Sequence, residues 1–174
     1  QLRNTLKRLV ESGAISGSKA DAWKQAMAEE ALGVRMRVKA EGGDAVAMRD
    51  LGVAYRDGKR GLKKDLTQAF TWFKRAADLK DVYGLAECGI AYLNGDGVER
   101  SSTRGIAMIS VAATLGSEHA CGLLGQANAE GLWGFDKDPQ EATRLYREMQ
   151  KCDRCRNSNE GTRELAAAWL REHP

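Results

Sequence analysis

The stretch Tyr55-Arg-Asp-Gly-Lys-Arg-Gly-Leu-Lys-Lys-Asp65 sets Gly58 and Gly61 around Lys59 and Arg60, with Lys63 and Lys64 close behind. Glycines flanked by cations and followed by a helix have the make-up of a phosphate-binding loop. A second chemical candidate is Cys152-Asp-Arg-Cys155, the one metal-like spacing in the chain. It supplies half of the ligands a structural zinc needs, and the two histidines, His119 and His173, do not complete the set. Incidental thiols, a disulfide and a metal half-site all stay open there, and the βαβ setting of a thioredoxin-type pair is missing. Glu118-His119 looks like an acid–base pair, but neighbouring helical residues do not face each other and no nucleophile stands at a defined spacing. A surface or groove histidine is the expectation.

Charge narrows the functional classes further. The net charge is +3 with a pI near 8.7. Basic clusters occur at Arg35/Arg37/Lys39, Lys59/Arg60/Lys63/Lys64 and Lys151/Arg154/Arg156. Nucleic-acid binding would need them on one face among exposed aromatics, and most aromatics here fall at core positions. No apolar run approaches the ~20 residues of a membrane span. Four cysteines in no dense pattern favour a reducing, intracellular setting, so a cytoplasmic location is expected, and no cofactor is implied. The chain begins at Gln1, which suggests a segment excised from a longer protein.

The elements that would position these residues repeat. Leu51-Gly52-Val-Ala-Tyr55 returns as Cys88-Gly89-Ile-Ala-Tyr92, and Gly58 returns as Gly95, an offset of 37 residues. Ala76-Ala77 returns as Ala112-Ala113 and Trp72 as Met108, an offset of 36, so one residue is lost where Gly-Lys-Arg-Gly becomes Gly-Asp-Gly. A weaker third copy carries Leu124-Gly125, Gly131, Gly134 and Asp138, with Asn128 in place of the tyrosine. Each unit reads as two helices: Ala47, Leu51, Ala54 and Tyr55 at helical spacing, then Ala69, Trp72, Phe73, Ala76 and Ala77 as one stripe. Asp65, Ser101 and Asp138, the last followed by Pro139, stand where the second helix needs an N-cap. One such hairpin cannot bury both faces, so units must stack.

The pattern through Ala47, Leu51, Gly52, Tyr55, Gly58, Gly61, Asp65, Ala69, Trp72, Ala76 and Ala77 resembles the SEL-one-like repeat family, relatives of the tetratricopeptide repeats. Gly89, Tyr92, Gly95, Gly97, Val98, Ala112, Ala113 and Gly116 continue it; Cys88, Ser101, Gly105 and Met108 depart from it. The resemblance implies an all-α solenoid of stacked helix-turn-helix units. It also implies a non-enzymatic adaptor within a larger assembly, such as a membrane-anchored ubiquitin ligase or a bacterial signalling system. Three repeats are expected at about 43–79, 80–115 and 116–151, after N-terminal helices over 1–42 and before a C-terminal cap over 152–174.

At the ends, Leu2, Leu6, Leu9 and Val10 suggest a short amphipathic helix broken at Gly13. Ser18 and Asp21 suggest the cap of a long helix over 20–40, with Trp23, Met27, Leu32 and Met36 on one face covering the first repeat, and Gly42-Gly43 ending it. A closing helix is expected to pack through Leu165 and Trp169. By analogy with tetratricopeptide-like stacks, the concave face takes Arg49, Val53, Arg56 and Asp57 from the first unit. It takes Tyr83, Ile90, Leu93 and Asn94 from the second, and His119, Gln126 and Glu130 from the third. Tyr83, Ile90 and Leu93 would make an apolar middle between the arginines and Glu130, a groove suited to a protein or peptide partner. A monomer is expected. The alternatives are a metal- or redox-linked module on Cys152 and Cys155, and a purely structural spacer.

Overall fold

The computed structural model describes residues 2–14, 16–151 and 160–173. Among them the chain forms helices only: α1 (Leu2–Glu11), α2 (Gly17–Glu41), α3 (Ala45–Asp57), α4 (Leu66–Asp78), α5 (Val82–Asn94), α6 (Ser102–Thr114), α7 (Glu118–Glu130), α8 (Pro139–Gln150) and α9 (Glu160–Glu172). Hairpins α3/α4, α5/α6 and α7/α8 stack into the expected solenoid.

Local chemistry sets each hairpin. Asp65, Ser101 and Asp138 cap α4, α6 and α8 through their side-chain oxygens, and Asp44, Asp81 and Ser117 do the same for α3, α5 and α7. Gly58, Gly95 and Gly131 close the first helices in the left-handed conformation, which glycine adopts without a Cβ clash. The same backbone bond then clamps every loop: Asp65 N–H to the Tyr55 carbonyl, Ser101 to Tyr92 and Asp138 to Asn128, at 2.9, 2.8 and 2.9 Å.

Packing follows the repeat. A Cβ on Gly52, Gly89 or Gly125 would stand 2.6, 2.6 or 2.7 Å from Phe73, Ile109 or Tyr146, so a small residue is what lets each pair of helices close. Ala47, Leu51, Ala54, Ala69, Trp72, Phe73 and Ala76 are buried, as are Cys88, Gly89 and Ala112 in the second unit. Burial of this sort, at about 25 cal/mol per Å2 of apolar surface, is the main favourable contribution in such an array. Tyr55 is half-buried and accepts from Arg37 of α2 at 2.5 Å; Tyr92 meets Phe70 edge-on, ring centroids 5.3 Å apart.

The ends differ from expectation in three respects. The cap of α2 is Ser16, which accepts from Lys19 N–H, so the helix starts at Gly17, ahead of the Ser18/Asp21 pair. Trp23, Met27, Leu32 and Met36 do not share a face, because the five-residue step from Met27 to Leu32 turns the helix by roughly 140°. Gly33, Met36 and Ala40 meet the array instead, while Trp23 and Leu32 are 51% and 44% exposed. In α9 the inward residues are Ala166, fully buried, and Trp169; Leu165 points to solvent.

Candidate concave recognition face

The opening loop loses its phosphate reading at once. Asp65 places its carboxylate on the Gln68 amide, at the α4 N-terminus where an anion would have to sit. Lys59 pairs with Asp57 at 3.1 Å and Arg60 with Glu29 of α2 at 3.3 Å. Gly61 is small for a packing reason: its Cβ would stand 2.8 Å from the Glu30 backbone, as that of Gly97 would stand 2.1 Å from Leu66. The loop is a buttress against the preceding helix.

The cysteines follow the same course. Cys88 is fully buried beside Ala69 and Phe73, and burial pushes its thiol up to about 12. Cys121 lies in a different cluster with Tyr146 and Met149, so the two do not meet. No group of three or more metal-ligating side chains occurs among the described residues. Cys152 and Cys155 lie outside the described residues.

A chain of charged and aromatic groups links the first helices α3, α5 and α7. Arg49 reaches from α3 toward α5, with Nη1 3.7 Å from Asp81 Oδ2 and its guanidinium 5.3 Å from the Tyr83 ring centre. Two turns further along, Arg56 Nη1 donates to Glu87 Oε2 at 2.7 Å, while its Nε donates to Asp57 at 3.1 Å. Burial pulls the Arg56 guanidinium down, but Glu87 and Asp57 together hold it above its ordinary value. The hydrogen bond from Arg56 in turn holds Asp57 below the usual carboxylate range. His119 of α7 is within the field of both Glu87 and Arg56, and burial keeps its imidazole on the neutral side of its usual range.

The remaining expected residues divide. Val53 and Ile90 are half-buried and pack against the core on their inner sides. Leu93 is 2% exposed and sits among Ala86, Ile109 and Leu124, so it belongs to the core and not to the groove. The cause is Gly105, whose missing side chain makes room for it; a Cβ there would stand 2.7 Å from Leu93. Without Leu93 the apolar part of the face is reduced to Val53, Tyr83 and Ile90, all partly buried. Asn94 donates to Asp96 at 3.1 Å and Gln126 to Glu130 at 3.0 Å, both near the loop ends of their helices. Asp81 and Glu87 are partners that sequence reasoning missed. The usable signal is register, since they stand one repeat after Asp44 and Asp50. Glu118 turns away from His119 toward α9, where it pairs with Arg163 and is 3% exposed.

Among the described residues no helix is long and apolar enough to cross a membrane. No curated protein is significantly similar in sequence. Two solved structures are similar: a Sel1 repeat protein from Oxalobacter formigenes, 31% identical with a TM-score of 0.58, covering 63% of this chain and 44% of that one. The other is c5321, described as a protective antigen of uropathogenic Escherichia coli with an SLR fold, 28% identical with a TM-score of 0.57, covering 77% and 32%. This chain therefore spans less than half the length of either. The Sel1 repeat model matches residues 45–81, 82–117 and 119–149, one stretch for each hairpin described above, and the chain belongs to the Sel1 repeat family, whose members generally mediate protein–protein interaction.

Proposed function

We propose that this chain is a non-enzymatic adaptor that holds a segment of a partner protein along the face formed by α3, α5 and α7. The observation that carries this reading is the Arg49/Asp81/Tyr83 and Arg56/Glu87 ladder, which runs across two repeats beside a neutral imidazole. The arginines keep 24% and 38% of their side chains exposed, against 12% and 16% for Asp81 and Glu87, so the cations are the groups within reach of a partner's charges. A carboxylate on the partner replaces Asp81 or Glu87 at an arginine, and Tyr83 offers an aromatic surface beside it. Segments with acidic residues at a spacing that matches Arg49 and Arg56 are the class this face fits. The ubiquitin-ligase or signalling setting implied by the resemblance rests on the family alone, and no residue of this face selects between the two.

Phage-displayed peptides panned on the protein and on an Arg49→Glu/Arg56→Glu variant test the reading. Acidic sequences are expected to be enriched on the parent and to be lost on the variant, with helicity retained. Equal enrichment on both would place recognition elsewhere.

A further inference from the structure

Among the described residues, the first helix that α2 would pair with is missing, and repeat register identifies its shape. One pair of hydrogen bonds, repeated at three joints, shows that the last turns of α2 act as the second helix of a preceding unit. Gly43 N–H donates to Ala40 and Asp44 to Lys39, as Lys80 does to Ala77 and Asp81 to Ala76, and Gly116 to Ala113 and Ser117 to Ala112. A second helix in this molecule always packs against a first helix of its own unit, as α4 does against α3. The residues one repeat before α3, 8–20, do not supply it: Ala14, Ile15 and Ser18 stand where Leu51, Gly52 and Tyr55 should recur. The chain instead runs into α2 from Gly17 onward.

A groove of about 270 Å3 lies where that first helix would be. Leu32, Met36, Asp44, Val46 and Asp50 line it, and they stand 37 residues before Ala69, Phe73, Asp81, Tyr83 and Glu87. Those later residues are the ones that hold α3. Gly52 faces Ala69 and Phe73, Arg49 meets Asp81 and Tyr83, and Arg56 meets Glu87. Both acids are kept in the empty copy, Asp44 as the cap of α3, as Asp81 is of α5, and Asp50 held by Arg49 at 3.0 Å; the apolar wall is open, with Leu32 44% and Val46 50% exposed. The difference is on the other rim, where Arg35 and Lys39 replace Trp72 and Ala76.

We infer that this groove is the seat of an amphipathic α-helix from a partner protein. The helix carries two basic residues seven positions apart, which meet Asp44 and Asp50. A glycine or alanine three positions after the first basic residue lies against Met36. An acidic residue just before the first basic one meets Arg35 and Lys39. Helix-in-groove recognition of this kind is read by anchors on one helical face, and the charges set its direction along the groove.

A direct probe exists within the sequence. A synthetic peptide of residues 44–58, constrained as a helix by a side-chain lactam on its solvent face, presents Arg49, Gly52 and Arg56 in the required order. Fluorescence anisotropy with the full 174-residue chain is expected to show saturable binding, tightened when the peptide carries Met48→Glu. Asp50→Arg in the protein should weaken binding roughly tenfold or more, and the peptide change Arg56→Asp should restore it. Leu32→Glu should abolish binding without lowering the melting temperature. Absence of binding by the constrained peptide, or binding indifferent to both protein variants, overturns the inference. So does a dimer seen by sedimentation that Leu32→Glu dissociates, because the occupant is then a second copy.

Discussion

The two ends of the array are finished in opposite ways. At the C-terminal end α9 packs as a first helix does: Ala166 is fully buried, Trp169 packs on Tyr146, and Arg163 neutralises the buried Glu118. Its outward residues, Glu164 and Leu165 among them, face solvent singly. At the other end α2 packs as a second helix does, with no first helix beside it among the described residues, and Leu32 and Val46 stay uncovered above a pair of acids. Solenoid ends need a polar outer face to stay soluble. The exposed Leu165 of α9 is accompanied by exposed Glu164, Arg171 and Glu172, whereas Leu32 and Val46 line one groove, which is why the two are read as a cap and as a seat.

The largest effect is expected at the Glu118–Arg163 pair. Arg163→Met leaves a carboxylate buried without its cation, and denaturant unfolding should show a loss of about 3 kcal/mol, the low end of such changes because Arg163 keeps 30% exposure. The double variant Glu118→Leu/Arg163→Met should recover most of it. If the single variant unfolds like the parent, α9 is not anchored through this pair.

Glycine-to-alanine changes at the two ends should differ in sign. At Gly33 the new methyl would stand 2.2 Å from the Arg60 carbonyl oxygen and push α2 off the first loop, at a cost of roughly 1–3 kcal/mol. At Gly161, in the first turn of α9, nothing lies within 4 Å, and Ala should stabilise by up to about 0.5–1 kcal/mol. Equal effects would mean that α2 does not rest on that loop.

A smaller effect is expected at the joint between the first two units. The residue before each first-helix cap is left-handed: Gly43 at φ +94°, Lys80 at +64° and Gly116 at +86°. Lysine alone has a Cβ to strain there, so Lys80→Gly should raise stability by about 1 kcal/mol, read as a shift in the denaturation midpoint.

The least effect concerns pH. Burial, opposed by Glu87 and Glu118 and reinforced by Arg56, makes folded His119 harder to protonate than its unfolded counterpart. Its stabilising contribution is then present above pH ~6.5, the ordinary histidine value, and is lost as pH falls through the lowered folded value. His119→Gln should remove that part of the acid dependence between pH 7 and 5; an unchanged profile would assign it to other groups.

Much of this was legible in the chain. The caps Asp65, Ser101 and Asp138, the left-handed Gly58, Gly95 and Gly131, and the contact glycines Gly52, Gly89 and Gly125 all serve needs that recur with each hairpin. A need that recurs leaves a period, and a period can be read. Leu93 and Leu165 were misplaced because each depends on one neighbour or one rotation: the gap left by Gly105, and the choice of Ala166 as the inward residue. Charged partners such as Glu87 were hidden because Arg56 lies 31 residues away, and no local rule joins them.

By itself the sequence determined the hairpin, its caps, its turns and the stacking of three units, since these follow from backbone angles and side-chain size within a short stretch. Tertiary structure alone decided which charges meet across the concave face, which loop glycines touch the preceding helix, and which apolar side chains line the groove beside α2. Those outcomes depend on the relative placement of helices a full repeat apart, and the packing of whole units fixes that placement.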